Sequence, residues 1–231
     1  MKLGVCVIYS SIDHFLWPLL KQQVEDIADD AIVVRRTHLF SGEKEPLPDL
    51  GMRTLTLPLE DADDHWDQMR KMRFHGVREL RNDITHIMLL DSDELFEVDR
   101  LKGSLSNTPT FFAADWYWRV GWVKAVQSNE TSGLLCRREH MLMDTKEGDR
   151  EKMAVGIQRP RIYPPIFHHY SWCKPIDQMH RKIRNWVHKD DKPWESMLMH
   201  EWKQPLPGTC FVHRNRKLVL CHDKFGIGDP T

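Results

Sequence analysis

The sequence implies an α/β fold with a Rossmann-like, mostly parallel sheet flanked by helices, and three observations carry that reading. Ile87 to Leu90 is a continuous apolar run that passes straight into Asp91-Ser92-Asp93-Glu94, as a strand buried on both faces and ending in polar residues would. Leu3 to Tyr9 is a second such run, rich in β-branched residues. Between them, helical and extended periodicities alternate, the pattern of a parallel sheet built by right-handed crossovers. The acids then lie at a strand's carboxyl end, where open α/β sheets bind ligands.

Taken in order, the strand at Leu3 to Tyr9 turns at Ser10-Ser11 into a helix from Asp13 to about Ile27. That helix carries Phe15, Leu16, Leu19, Leu20, Val24 and Ile27 on one face, with Pro18 near its first turn. Ala31 to Val34 is the second strand, ending at Arg35-Arg36. Ser41 to Gly51, with its Gly and two Pro, is a loop. Arg53 to Leu59 alternates as a third strand, and Asp61-Ala62-Asp63-Asp64 opens a helix that runs through Leu80 and buries Trp66, Met69, Phe74 or Met72, Val77 and Leu80. After the acids, Leu95 to Leu105 reads as a short helix. Thr110 to Val126 reads as strands turning near Gly121, with a further strand at Leu134 to Arg137. Pro160, Pro164 and Pro165 bracket a loop before His168, Pro175 to His188 is a helix, and the remainder is an extended tail with one strand at Lys217 to Cys221. One domain is expected over 1–231: a nucleotide-binding half (1–100), an acceptor and metal-completing half (101–190) and a tail (191–231).

Composition is that of an ordinary globular protein, 41% hydrophobic and 29% charged. Lys and Arg number 33 against 34 Asp and Glu, so no global charge steers the chain to nucleic acid or anionic lipid. No run has the length of a membrane span and no signal-peptide pattern opens the chain, so a cytoplasmic location is expected. The five cysteines are scattered without a C-x-x-C pair, as reduced thiols would be.

In extended geometry, Asp91 and Asp93 point to one side and can converge on a hard cation while Ser92 faces away. Such a pair suits Mg²⁺ or Mn²⁺ holding a diphosphate; the alternative is a solvated acidic loop. The strand ending in DSDE resembles the DxD signature of glycosyltransferases of the A-type fold, especially the family 2-like enzymes. Arg73-Phe74-His75-Gly76 resembles that family's A-R-N-x-G segment, with Phe in place of Asn. Phe167-His168-His169-Tyr170-Ser171-Trp172, then Lys174-Pro175, Met179 and Lys182, resembles a downstream stretch of its small bacterial and phage members. The resemblance covers about residues 3 to 190.

What the resemblance implies is a metal-dependent transfer of a sugar from a nucleotide-sugar donor to a hydroxyl. The acceptor would be lipopolysaccharide, another glycan or a modified base in phage DNA. Asp93 would ligate the ion and Asp91 would contact the ion or the ribose. A later His would complete the shell: His169, with His168 as the alternative, in which case Mn²⁺ suits better than Mg²⁺. Both His residues are otherwise read as lining a Pro-rich loop. Tyr9 and Ser10 would sit near the nucleobase. Many relatives carry an acid where Arg35-Arg36 stands, so the base is open. Arg73, Arg70, Lys174 and Lys182 are placed to reach phosphate, or else lie on solvated faces. For the base that takes the acceptor's proton, Asp115 and Glu139 are candidates, and Glu94 is a third with a supporting role. A nucleotidyltransferase is the rival enzyme class, yet VIYSSIDHF has no glycine-rich phosphate loop. A non-catalytic binding module is the third reading.

Overall fold

The computed structural model describes residues 1–58, 64–107, 109–118, 123–125, 131–143, 150–156, 165–186, 188–203, 217–220 and 224–227. Strand β1 (Leu3–Ile8) leads into a 3-10 turn (Ser11–Leu16) and then helix α1 (Trp17–Ile27), so Pro18 falls in the first turn of the α-helix, where its missing N–H costs nothing. Then come β2 (Asp30–Arg36), β3 (Thr54–Leu57), α2 (His65–Glu79) and β4 (His86–Asp91). The side chain of Asp64 caps α2 by accepting from the Asp67 N–H. Parallel pairing sets the order β4-β1-β2-β3, which is the doubly wound core of the expected class.

Strand alternation divides this core. Val5 and Val7 of β1 and Met88 and Leu90 of β4 pack with Leu16, Trp17, Leu20 and Val24 on the α1 side. Cys6, Ile8, Ile87 and Leu89 pack with Met72, Phe74 and Val77 on the α2 side. Gly76 lets α2 come close, because a Cβ there would stand 2.7 Å from Val34 Cγ2 and would also strike Cys6 Sγ. Asp91 has the parity of Ile87 and Leu89, so it emerges on the α2 face, where it meets Arg73, one helical turn before Gly76.

The second half extends the sheet by mostly antiparallel pairing. Beyond β5 (Glu94–Phe96) and α3 (Val98–Lys102) come β6 (Thr110–Trp118), β7 (Val123–Ala125), β8 (Thr131–Arg137) and β9 (Phe167–Trp172). Strand β8 pairs with β4 and β6 pairs with β8 and β7, while β9 lies between β5 and β6 and runs parallel to β6. The hairpin expected at Gly121 is seen as the β6 and β7 pairing; Gly121 itself is outside the described residues. Helices α4 (Ile176–Arg184) and α5 (Trp194–Trp202) and strand β10 (Leu218–Leu220) follow. The α/β, Rossmann-like class holds, and the arrangement is consistent with the A-type transferase fold.

Three local expectations are corrected. The helix expected from Leu95 is shortened, since Glu94–Phe96 pairs with β9 before α3 begins. The histidines lie on strand β9 rather than in a loop. The tail includes α5, whose Trp194 and Leu198 form a third core with Trp172, Met179, Ile183 and Leu218. Among the described residues no helix is long and apolar enough to cross a membrane, and Cys6, Cys136 and Cys173 are buried.

Candidate active site

Strands β1 and β4 end side by side, with Ile8 in register with Asp91. The two strand ends are tied together: the Ser92 N–H donates to the Ile8 carbonyl at 2.9 Å and the Ser10 N–H donates to Ser92 Oγ at 3.1 Å. A cavity of about 360 Å³ opens above them, with Tyr9, Ser10, Arg73, Asp91, Asp93 and His169 in its wall. With Lys182, also in that wall, seven of the residues singled out in the sequence therefore meet here.

Ser92 and Asp93 form a turn rather than continuing the strand. The alternation that would aim Asp91 and Asp93 at one point is broken, and each acid finds different partners. Asp91 accepts from Arg73 Nη2 at 3.2 Å and lies 3.5 Å from Arg150 Nη2. Asp93 Oδ2 accepts from Lys182 Nζ at 2.6 Å, and its Oδ1 is 3.1 Å from His169 Nε2. Asp91 is the more open, with 28% of its side chain exposed against 8% for Asp93, so it is the acid a ligand meets first.

Behind the acids stands Glu94, fully buried, which accepts from the Asp91 N–H at 2.8 Å and from both terminal nitrogens of Arg150 at 2.6 Å each. This is the two-pronged guanidinium and carboxylate geometry, in which two parallel bonds fix the fork. Strand β9 delivers the histidines to opposite sides, as successive residues of a strand must lie. His169 meets Asp93, with the Trp116 ring edge-on at 4.2 Å, whereas His168 turns to the Tyr117 hydroxyl and Glu97.

Electrostatics follow from these contacts. Burial pushes the Asp93 carboxyl up, but the charges of His169 and Lys182 outweigh it and hold Asp93 well below the usual range. Burial likewise raises Asp91, and Arg150 and Arg73 pull it below its ordinary value. For Lys182, burial disfavours the ammonium, yet Asp13 and Asp93 more than restore it and its affinity for the proton rises. Glu45 on the far wall goes the other way. Burial raises its carboxyl against the hydrogen bond from the Ser11 N–H, which is 2.5 Å long, and the charge of Arg36. Arg36 itself lies flat against Phe40, 3.5 Å from the ring centre, and donates to Gln68 at 2.6 Å.

Several expected residues lie elsewhere. Arg70 is bound to Asp67 on its own helix. Lys174 is 1% exposed, locked against Asp13 Oδ1 at 2.5 Å and donating to the carbonyls of Ser171 and Tyr170, so it supports the wall from behind. Asp115, on β6, is in register with His168 of β9 and is not among the residues lining the cavity. Glu139 is exposed and sits with Arg137 beside His86, at the amino end of β4. Five residues of strand separate His86 from Asp91, about 17 Å at the usual rise, so Glu139 is at the wrong end of the sheet for a base. Conversely, Arg150 and Asp13 were missed. Arg150 comes from a polar, aperiodic stretch that carries no signal, but Asp13 three residues past Ser10 was open to notice.

An ion held by Asp91, Asp93 and His169 needs all three aimed at one centre. Among the described residues no group of three or more His, Cys, Asp or Glu side chains is so arranged. His169 and Asp93 meet, but Asp91 is turned to its two arginines. An ion sharing an Asp93 oxygen with Lys182 would stand beside the ammonium, whose charge opposes it. In this arrangement the residues do not fit the expected Mn²⁺ or Mg²⁺.

No family model matches the sequence, and no curated relative does. Among solved structures, the inositol-1-phosphate CTP transferase from T. maritima is similar with a TM-score of 0.44 and 9% identity, over 82% of this chain and 97% of that one. A glycosyltransferase involved in the glycosylation of the major capsid of PBCV-1 is similar with a TM-score of 0.42 and 7% identity, over 78% of this chain and 98% of that one. Both are distant likenesses.

Proposed function

We propose that the chain is a glycosyltransferase that moves a sugar from a nucleotide-sugar donor to a hydroxyl acceptor, carried on a glycan or on a nucleic acid. The observation that carries this reading is the convergence of three largely buried cations, Arg73, Arg150 and Lys182, with Asp91 and Asp93 in one cavity at the carboxyl ends of β1 and β4. Breaking the bond between sugar and diphosphate leaves negative charge on the leaving oxygens. Donors fixed in advance around that charge lower the barrier because they need no reorganisation as it develops. Phe40, Trp66 and Trp186 also line the cavity, and aromatic faces suit a base or a sugar ring.

Of the acids in the wall, Asp91 and Asp93 are held ionised by their cations and are poor proton acceptors. Glu45 is raised overall, because burial outweighs its hydrogen bonds and the charge of Arg36, and that is the direction suited to taking a proton. A panel of nucleotide sugars incubated with the protein, with released nucleotide read by mass spectrometry, tests the reading. Release of one nucleoside diphosphate is expected. Pyrophosphate released from a nucleoside triphosphate would favour a nucleotidyltransferase instead, and no release from any donor would remove the transferase reading.

A further inference from the structure

We propose that the donor's diphosphate is neutralised by Lys182, Arg150 and Arg73 in place of a divalent ion. The proposal rests on the transferase reading above and deepens it. A nucleoside diphosphate group carries several negative charges that must be met where it binds, by metal or by protein. Here three side chains from three separate elements supply them: Arg73 from α2, Arg150 from the 3-10 turn at Arg150–Lys152, and Lys182 from α4.

Each is held in the cavity wall by a carboxylate. Lys182 Nζ is 2.6 Å from Asp93 and 3.7 Å from Asp13. Arg150 is clamped on Glu94 and reaches Asp91, which also takes Arg73. The positions are rigid for a stated reason: Met179 and Ile183 bury the face of α4 next to Lys182, and Glu94, fully buried, fixes the Arg150 fork. The acid pair that would ordinarily collect a metal therefore serves here to aim cations, and a bound diphosphate exchanges carboxylate oxygens for its own at the same ammonium and guanidinium groups. Asp93 keeps His169 as a partner when Lys182 turns to the ligand.

The test is calorimetric binding of UDP, GDP, CDP and ADP to the whole chain stripped with EDTA, with and without added Mn²⁺. At least one of the four should bind, with a Kd in excess EDTA within tenfold of that in Mn²⁺. A Kd more than tenfold weaker in EDTA overturns the proposal and leaves the transferase reading standing. Absence of binding in both conditions overturns both. Lys182→Met should weaken binding in EDTA by tenfold or more while Lys182→Arg stays within tenfold of the parent; an unweakened Lys182→Met variant removes Lys182 from the set. Because the EDTA comparison uses the unaltered chain, it decides the matter even if a variant fails to fold.

Discussion

Lys182 Nζ lies 2.6 Å from Asp93 Oδ2 although 89 positions separate them in the chain. The contact joins the turn after β4 to helix α4 and closes the cavity wall between the two halves of the fold. Both side chains are nearly buried, so the pair is of the kind whose disruption leaves an uncompensated charge rather than merely a lost surface contact.

Asp93→Asn removes the charge that orients Lys182. Donor turnover should fall by about 10²-fold, the scale of losing one preorganised group at a developing charge, with far-UV circular dichroism unchanged. A variant of unaltered turnover at saturating donor would take Asp93 out of the site. The pH dependence has a definite sign. The folded carboxyl sits well below its ordinary 3.8, so its stabilisation is complete above 3.8 and is lost as pH falls from there through the folded value. In urea melts, the stability gap between parent and variant should narrow as pH falls below about 4.

Lys174→Met should destabilise the fold by about 3 kcal/mol, because buried Asp13 then loses its nearest cation and keeps only Lys182 at 3.7 Å. Replacing both partners, as Asp13→Leu with Lys174→Met, should recover part of the loss. Urea titration of the two single variants and the double variant measures the coupling. A double variant as unstable as the sum of the singles would mean that the pair is not the source of the loss.

Gly76→Ala sets two effects against each other. Alanine improves helix propensity by about 1 kcal/mol, but its methyl would press on Cys6 and Val34, both fully buried strand residues with nowhere to move. Overpacking of this sort costs about 1–3 kcal/mol. The clash should win, lowering the melting temperature and weakening donor binding as α2 carries Arg73 away from Asp91. A variant more stable than the parent would show that the helix is seated less tightly than described.

Glu45→Gln tests the opposite linkage. The folded Glu45 carboxyl titrates above its ordinary 4.5, so its contribution favours folding below 4.5 and is lost as pH rises through the raised value. The Gln variant keeps the oxygen that accepts from the Ser11 N–H and carries no charge. It should therefore gain stability relative to the parent as pH rises from 4 to 8, while transfer slows. Parallel stability curves across that range would mean that Glu45 pays no burial penalty.

The sequence by itself determined the strands and helices of the parallel core and the step from β4 into the acids. Apolar runs, helical periodicity and the helix-opening acids before His65 are local, and the forces that read them act within a few residues. It also singled out Tyr9, Ser10, Arg73, Asp91, Asp93, His169 and Lys182, and the structure brings all seven to one cavity. The partners were decided only by tertiary structure. The turn at Ser92-Asp93 parts the two acids; β9 pairs with β5 and β6, sending His169 to the site and His168 away; and register on β8 carries Glu139 to the far end of the sheet. Arg150 reaches Glu94 across 56 positions from a stretch with no pattern of its own. Which cation meets which carboxylate depends on strand register and on how α2 and α4 pack, and those are set by contacts between segments far apart in the chain, which local patterning cannot encode.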